Sequence, residues 1–297
     1  ISFKDIKANT YEKVEASLSD LIQDLYKSYK YLLQSPKLDK IDKDDFQKYI
    51  TGPLSYPLIL KSFKFLSELL YKHFGKKVIV LIDEYDTPLN NWYAKKLAED
   101  GTLKSASEDA FFEEILSLFR EMFSKVLKDN EYLEKGVITG ILRVAKANLF
   151  SGLNNLGEDS VLDKKYAPFF GFTDAEVDGL LEETGLNQTP ELAQDMKSWY
   201  NGYNIGGLTI YNPWSIMNCL SNRGELKAYW VGTASTALIE NALILDKFQE
   251  EMQRLTEGES LPMIADPKMV FADIKSSPNA LYNLLLFSCK WYMQLYK

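Results

Sequence analysis

The chain has 297 residues, room for one large domain or two ordinary ones. Its 34 Lys+Arg against 42 Asp+Glu leave a formal net charge of −8, which argues against a broad nucleic-acid or acidic-membrane footprint. Hydrophobic residues at 46% and aromatics at 13% supply a sizeable core and argue against disorder, while two cysteines, Cys219 and Cys289, make no disulfide framework and fit a reducing, cytoplasmic setting.

The single histidine, His73, excludes a zinc site built from two histidines and leaves a Ser-His-Asp triad with one candidate and no G-x-S-x-G elbow. Its place in "LLYKHFG" reads as a helix end, capping carbonyls or facing solvent. The longest unbroken apolar stretch, Val78 to Ile82, is far too short to span a bilayer, so no membrane association is expected. No signal peptide is visible, and a first residue of Ile rather than Met suggests a piece of a longer protein.

"ISFKDIK" alternates apolar and polar residues and suits a short strand. Asn9 with Glu12 is a capping-box signature opening a helix that carries Val14, Leu18, Leu21, Ile22, Leu25, Tyr29, Leu32 and Leu33 at helical spacing and ends at Ser35-Pro36. The charged stretch "KLDKIDKDD" reads as a solvated connection into a short helix. Pro57 opens the next helix, and Gly75 closes it. "KKVIVLIDEYD" then reads as a strand buried on both faces, as in parallel sheets covered by helices.

A long helix over about 108–129 leads to a second apolar segment, "GVITGIL". Strand–helix–strand order predicts a right-handed α/β unit. Beyond Gly157 the helices are short and capped, at Thr173 with Glu176, at Pro190 and at Asn212-Pro213, and aromatics gather in "WYNGYNIGG" and "YNPW". A boundary near 165 divides the chain into an α/β core, 1–165, and a mostly helical region, 166–297. "ALYNLLLFSCKWYMQLYK" closes it as one apolar-aromatic helix whose face of Leu281, Leu284, Leu285, Trp291 and Tyr292 reads as core before the alternative of an interface covered by a further part of the protein.

Asp83-Glu84 is the sharpest chemical signal. A buried strand ending in two acids has the form of a Walker B segment, because such a strand delivers carboxylates to the crevice where ligands bind in open α/β sheets. In that reading Asp83 holds Mg²⁺, often through a water, and Glu84 orients or deprotonates the attacking water. Acids also end apolar strands simply where these exit into solvent. Thr139, at the end of the neighbouring strand, is placed to sense a γ-phosphate, and Arg143 to stabilise charge on it. The plainer alternative is that Thr139 caps the strand end and Arg143 pairs with a local acid.

"SFKDIKANTYE", "VIVLIDEYDTPL", "TGILRVAKANLFSGLNNL", "FFGFTDAEV", "WYNGYNIGG" and "YNPWSIMNCL" resemble, in order over about residues 2–220, the blocks of the bacterial AAA-ATPase-like family. The resemblance implies a P-loop NTPase-like, RecA/AAA-type parallel sheet core followed by a mostly helical, lid or winged-helix-like region, often linked to a PD-(D/E)XK nuclease-like domain. It implies ATP and Mg²⁺ as ligands. Asp83 and Glu84 match the Walker B acids, and Thr139 and Arg143 match the sensor region. Tyr200, Gly202, Tyr203, Asn212, Pro213 and Trp214 match positions whose role is packing and lid formation. Family members also carry a G-x-x-x-x-G-K-[ST] loop upstream of the "SFKDIK" strand. None of the 16 glycines here starts one, so the first strand of the core is expected to be missing and hydrolysis by this chain alone to be poor.

Other readings compete with this one. A catalytically dead ATPase-like module serving as a docking or regulatory platform, with a protein partner or self-association, fits the missing loop. Asp273 and Lys275 in "FADIKSS", with Asp266 upstream, make a weak nuclease pattern against the net charge. The clustered acids Asp83, Glu84, Asp86, Glu99 and Asp100 match no calcium loop. The aromatic motifs read as core corners rather than base-stacking platforms.

Overall fold

A computed structural model describes residues 1–7, 10–92, 110–128, 130–140, 149, 156–187, 190–229, 246–266 and 278–287. The first helix, α1 (Tyr11–Ser28), is capped by Thr10, whose side chain accepts the Lys13 amide at 3.4 Å. The cap expected at Asn9 therefore sits one residue later, and Asn9 itself lies outside the described residues. After α1 the chain tightens into a 3₁₀ segment, Lys30–Gln34, before Pro36. The stretch expected to be a solvated connection is largely helix: α2 (Lys40–Lys48) starts from a capping box between Asp39 and Asp42.

Helix α3 (Tyr56–Phe74) has Pro57 in its first turn and ends on Gly75 at φ 70°, as its sequence predicts. Lys72 on α3 bridges Glu68 at 2.8 Å and Asp42 of α2 at 2.7 Å, tying the two helices. His73 takes the helix-end role. Its Nδ1 lies 2.8 Å from the Ser35 hydroxyl, and its backbone carbonyl accepts Lys37 Nζ at 2.7 Å.

Strand β1 (Val78–Ile82) pairs in parallel with β2 (Leu133–Ile138), Leu81 opposite Val137 and Ile82 opposite Ile138, with α4 (Ala110–Leu127) between them in the chain. On the other edge of β1 the first residues join in parallel through a Ser2–Asp83 bridge, so β1 is flanked on both sides. The first core packs Phe3 with Leu18 and Ile22 of α1, Phe63 and Leu66 of α3, Phe119 and Phe123 of α4, and Val80 and Ile82 of β1. Gly136 on β2 belongs to this packed side, since a β-carbon there would meet Leu127.

The second face of the sheet departs from expectation. Ile79 and Leu81 are 63% and 59% exposed, and Val137 beside Leu81 is 41% exposed. Helices α1, α3 and α4 pack on one face only, so β1 alternates buried and exposed residues instead of burying both.

Further along, α5 (Asp174–Glu183) begins at the Thr173–Glu176 capping box, and α6 (Pro190–Tyr200) leads directly into a hairpin of β3 (Asn201–Ile205) and β4 (Leu208–Tyr211). The turn Gly206-Gly207 has φ 57° and 89°, the pair of positive angles that a type I′ hairpin needs, and Gly-Gly supplies them without strain. This hairpin lies in a stretch expected to be mostly helical. Helix α7 (Pro213–Ser221) follows, with Asn212 as its cap. Val177, Leu181, Met196, Tyr200, Tyr211, Ile216 and Cys219 form a second core.

Helix α8 (Asp246–Thr256) precedes α9 (Pro278–Phe287), where Ala280 and Leu285 enter the first core. Leu285 thus takes the core place expected of it. Residues 288–297, with Cys289, Trp291 and Tyr292, and the side chains of Leu281 and Leu284 lie outside the described residues.

Candidate functional site

The chain leaves β1 by an irregular step that sets the two acids. The Thr139 amide donates to the Ile82 carbonyl at 2.8 Å, continuing the parallel ladder. In an unbroken ladder the next bond would run from the Glu84 amide to the Thr139 carbonyl. That carbonyl instead accepts the Tyr85 amide at 3.2 Å, so Glu84 is an extra residue on this strand, a bulge. Glu84 has φ 52°, one of two non-glycine positive values among the described residues. Its displaced amide donates to Oδ1 of Asp83 at 3.0 Å, so that donor is not orphaned by the bulge.

Asp83 is exposed and Glu84 half-buried, while Tyr85 and Asp86 immediately after are buried. The bulge therefore presents two successive acids at the carboxyl end of β1 before the chain returns to the core. From the neighbouring strand the Thr139 hydroxyl donates to Asp83 Oδ1, a short contact. Oδ1 thus has two donors, and Oδ2 accepts from no described residue. On the other acid, Oε2 of Glu84 accepts the Thr87 hydroxyl at 3.2 Å.

Asp86 anchors the turn beyond the acids. Its carbonyl accepts the amides of Leu89 and Asn90 at 3.1 and 2.8 Å, and its Oδ2 accepts Asn90 Nδ2 at 2.9 Å. Gly140, next to Thr139, abuts this turn: a β-carbon there would stand 2.5 Å from Tyr85 Cε1.

Asp83, Glu84 and Thr139 are thus brought together, as their sequence positions predict. Arg143, Glu99, Asp100, Asp273 and Lys275 lie outside the described residues. Asp266, named in the nuclease pattern, donates its amide to Asn283 of α9 at 2.7 Å. Among the described residues no three His, Cys, Asp or Glu side chains gather to hold a metal ion, and no helix is long and apolar enough to cross a membrane. Sequence reasoning passed over Thr87 and Gly140. The signal for Thr87 was its spacing, three residues after Glu84 and just before Pro88.

A carboxylate with one oxygen fixed and the other open suits a hard cation or its bound water. A second carboxylate beside it, held by a hydroxyl on one oxygen only, can accept a proton on the other. Against known proteins, the family described as predicted AAA-ATPase, AAA-ATPase-like, matches residues 1–150. The chain is also 30% identical over 171 residues to an uncharacterised protein in the vnfD 5′ region of Azotobacter chroococcum mcd 1, covering 57% of this chain and 29% of that protein. The matched part is thus under a third of that relative's length. No solved structure matches the chain.

Proposed function

The chain belongs to the AAA-ATPase-like family, and on that premise we propose that residues 1–165 carry the acidic half of an ATP-hydrolysing site. The observation that carries this reading is the bulge after β1, where Asp83 is fixed through Oδ1 by Thr139 of the adjacent parallel strand, with Glu84 beside it. Strand ends at a switch in sheet order are where α/β folds bind ligands.

The donor set fits Mg²⁺: Asp83 Oδ2 is available at an exposed strand end and suits a metal-bound water better than direct chelation by several acids. Bound Mg²⁺ supplies positive charge to the phosphates of ATP. In this assignment Asp83, through Oδ2, would hold the Mg²⁺, directly or through a water, and Thr139 keeps that carboxylate aimed. Glu84 Oε1 takes the proton of the attacking water, and Arg143 offsets charge on the transferred phosphoryl group. The phosphate-cradling loop is not in this sequence, so the site is half of a whole. The bare face of Ile79, Leu81 and Val137, beside the acids, is the surface a phosphate-binding unit of the parent would cover. The part of the C-terminal region 166–297 built around the second core and its hairpin is assigned to a unit that moves against the first core during turnover, while α9, whose Ala280 and Leu285 enter the first core, stays with that core.

A second reading has its own support. The exposed apolar sheet face and the missing loop also suit a non-catalytic platform that docks a protein. Calorimetry of Mg·ATP on this chain and on the full natural polypeptide separates the two. Binding by the full polypeptide, abolished by Asp83→Ala, is the result expected of the ATPase. No binding by either form sinks that reading and leaves the platform.

A further inference from the structure

The acid pair is served by two hydroxyls, one per carboxylate, and only the Thr139 hydroxyl is accounted for by the ladder geometry. The Thr87 hydroxyl reaches Oε2 of Glu84 at 3.2 Å, and the Thr87 amide donates to the Glu84 carbonyl at 3.1 Å. Thr87 is mounted on a rigid base. It begins a helical turn between buried Asp86 and buried Pro88, and the Asp86 carbonyl and carboxylate close that turn through Leu89 and Asn90. Glu84 is therefore held at both ends. Its backbone is fixed in the left-handed bulge by the Asp83 carboxylate and the Tyr85–Thr139 bond, and its side chain by Thr87.

We infer that Thr87 is a positioning residue for Glu84, donating to Oε2 so that Oε1 stays turned to the attacking water. The inference rests on the ATPase reading and adds to it a residue outside the acid pair and the sensor region. A carboxylate free to rotate about its last torsion presents either oxygen in many directions. One charge-assisted bond from a donor on a packed turn removes that freedom before the substrate arrives, which is the condition for an effective base. The same contact read as a mere helix-start bond would serve stability alone.

The test compares Thr87→Val and Thr87→Ser in the full natural polypeptide, each with Glu84 and with Glu84→Gln. Two quantities are read: the ¹³C shift of the Glu84 side-chain carboxyl without ligand, and kcat and KM for Mg·ATP. The expected result is a displaced carboxyl resonance and a kcat lowered roughly tenfold in Thr87→Val, with KM within about twofold. Thr87→Ser restores both, and with Glu84→Gln present Thr87→Val lowers kcat no further. An unmoved carboxyl resonance in Thr87→Val overturns the inference, as does an equal loss of kcat in both backgrounds. Turnover undiminished by Glu84→Gln overturns the ATPase assignment of Glu84 itself; the small residual rate expected in that background is the one on which the Thr87 comparison is read. Loss of turnover in Glu84→Gln with full turnover in Thr87→Val overturns only the role of Thr87.

Discussion

Gly140 stands so close to Asp86 that a β-carbon on it would come within 2.7 Å of the carboxylate Oδ1. The two residues are 54 positions apart, yet their contact sets how tightly the turn after the acids seats against the end of β2. Gly140→Ala forces the Tyr85 ring or the Asp86 turn to move, at a cost of about 1–3 kcal/mol. Because Thr139 is the adjacent residue, its bond to Asp83 shifts as well. Urea unfolding checks the cost, with Gly157→Ala as the control: nothing lies within 4 Å of a β-carbon there, so a change below about 0.5 kcal/mol is expected.

Glu84 holds a left-handed backbone angle of 52°. Such an angle costs a non-glycine residue about 1 kcal/mol, more if it is β-branched. Glu84→Gly relieves that strain and adds a similar amount of unfolded-state entropy, so its melting temperature should stay close to that of the natural chain. Glu84→Val should melt several degrees lower. A Glu84→Gly variant that unfolds much earlier than the natural chain would show that the bulge is not under backbone strain.

The half-covered sheet makes a contrast between neighbours on one strand. Val80 is buried and Leu81 is 59% exposed. Val80→Ala should cost about 2 kcal/mol through the cavity it leaves, whereas Leu81→Ala in this chain should cost under about 0.5 kcal/mol. Sedimentation at rising concentration gives the second readout: Ile79→Lys with Leu81→Lys should weaken any self-association of the chain by removing the apolar patch. Equal costs at the two positions would mean that both faces of β1 are covered.

Three carboxylates around the hairpin and α5 give the second core an acid-side weakness. The Tyr211 hydroxyl at 2.7 Å and then Lys197 hold the Asp174 carboxyl below its ordinary range. The Thr173 amide does the same for Glu176, and the Ser160 amide for Asp163. A carboxyl that binds protons less readily when folded stabilises the fold above its unfolded pKa of about 4 and loses that contribution as pH falls through its folded value. Tyr211→Phe removes the main cause at Asp174, at a cost of at most about 1 kcal/mol because Asp174 is half exposed. Tryptophan fluorescence during acid titration should show its unfolding midpoint at a higher pH than the natural chain's. An unshifted midpoint would mean that the Tyr211–Asp174 bond is absent in solution.

Much of the site was legible because strand ends, caps and turns are local. "VIVLIDE" alone marks a strand delivering two acids, and it lies parallel to "GVIT" with Thr139 at the end, as its β-formers imply. Helix starts at Thr173 and Asn212 follow from short side chains that accept a first-turn amide, and the start at Pro57 from a ring whose fixed φ suits the first turn. Gly206-Gly207 was a hairpin signal of the same local kind, hidden behind the aromatics around it.

Tertiary structure decided the rest. A run of five apolar residues carries no mark of how many of its faces are covered, since that depends on where distant helices pack; here α1, α3 and α4 share one side, and Ile79 and Leu81 stay exposed. Nor does "DEYDT" state that Glu84 is an extra residue in the ladder, because the bulge exists only relative to the Thr139 carbonyl on another strand. Composition and local pattern determined that this chain has a core, where its elements begin, and which two acids end a strand. The direction of those acids, and the hydroxyls that hold them, came from pairings between residues far apart in the chain, whose geometry no local pattern encodes.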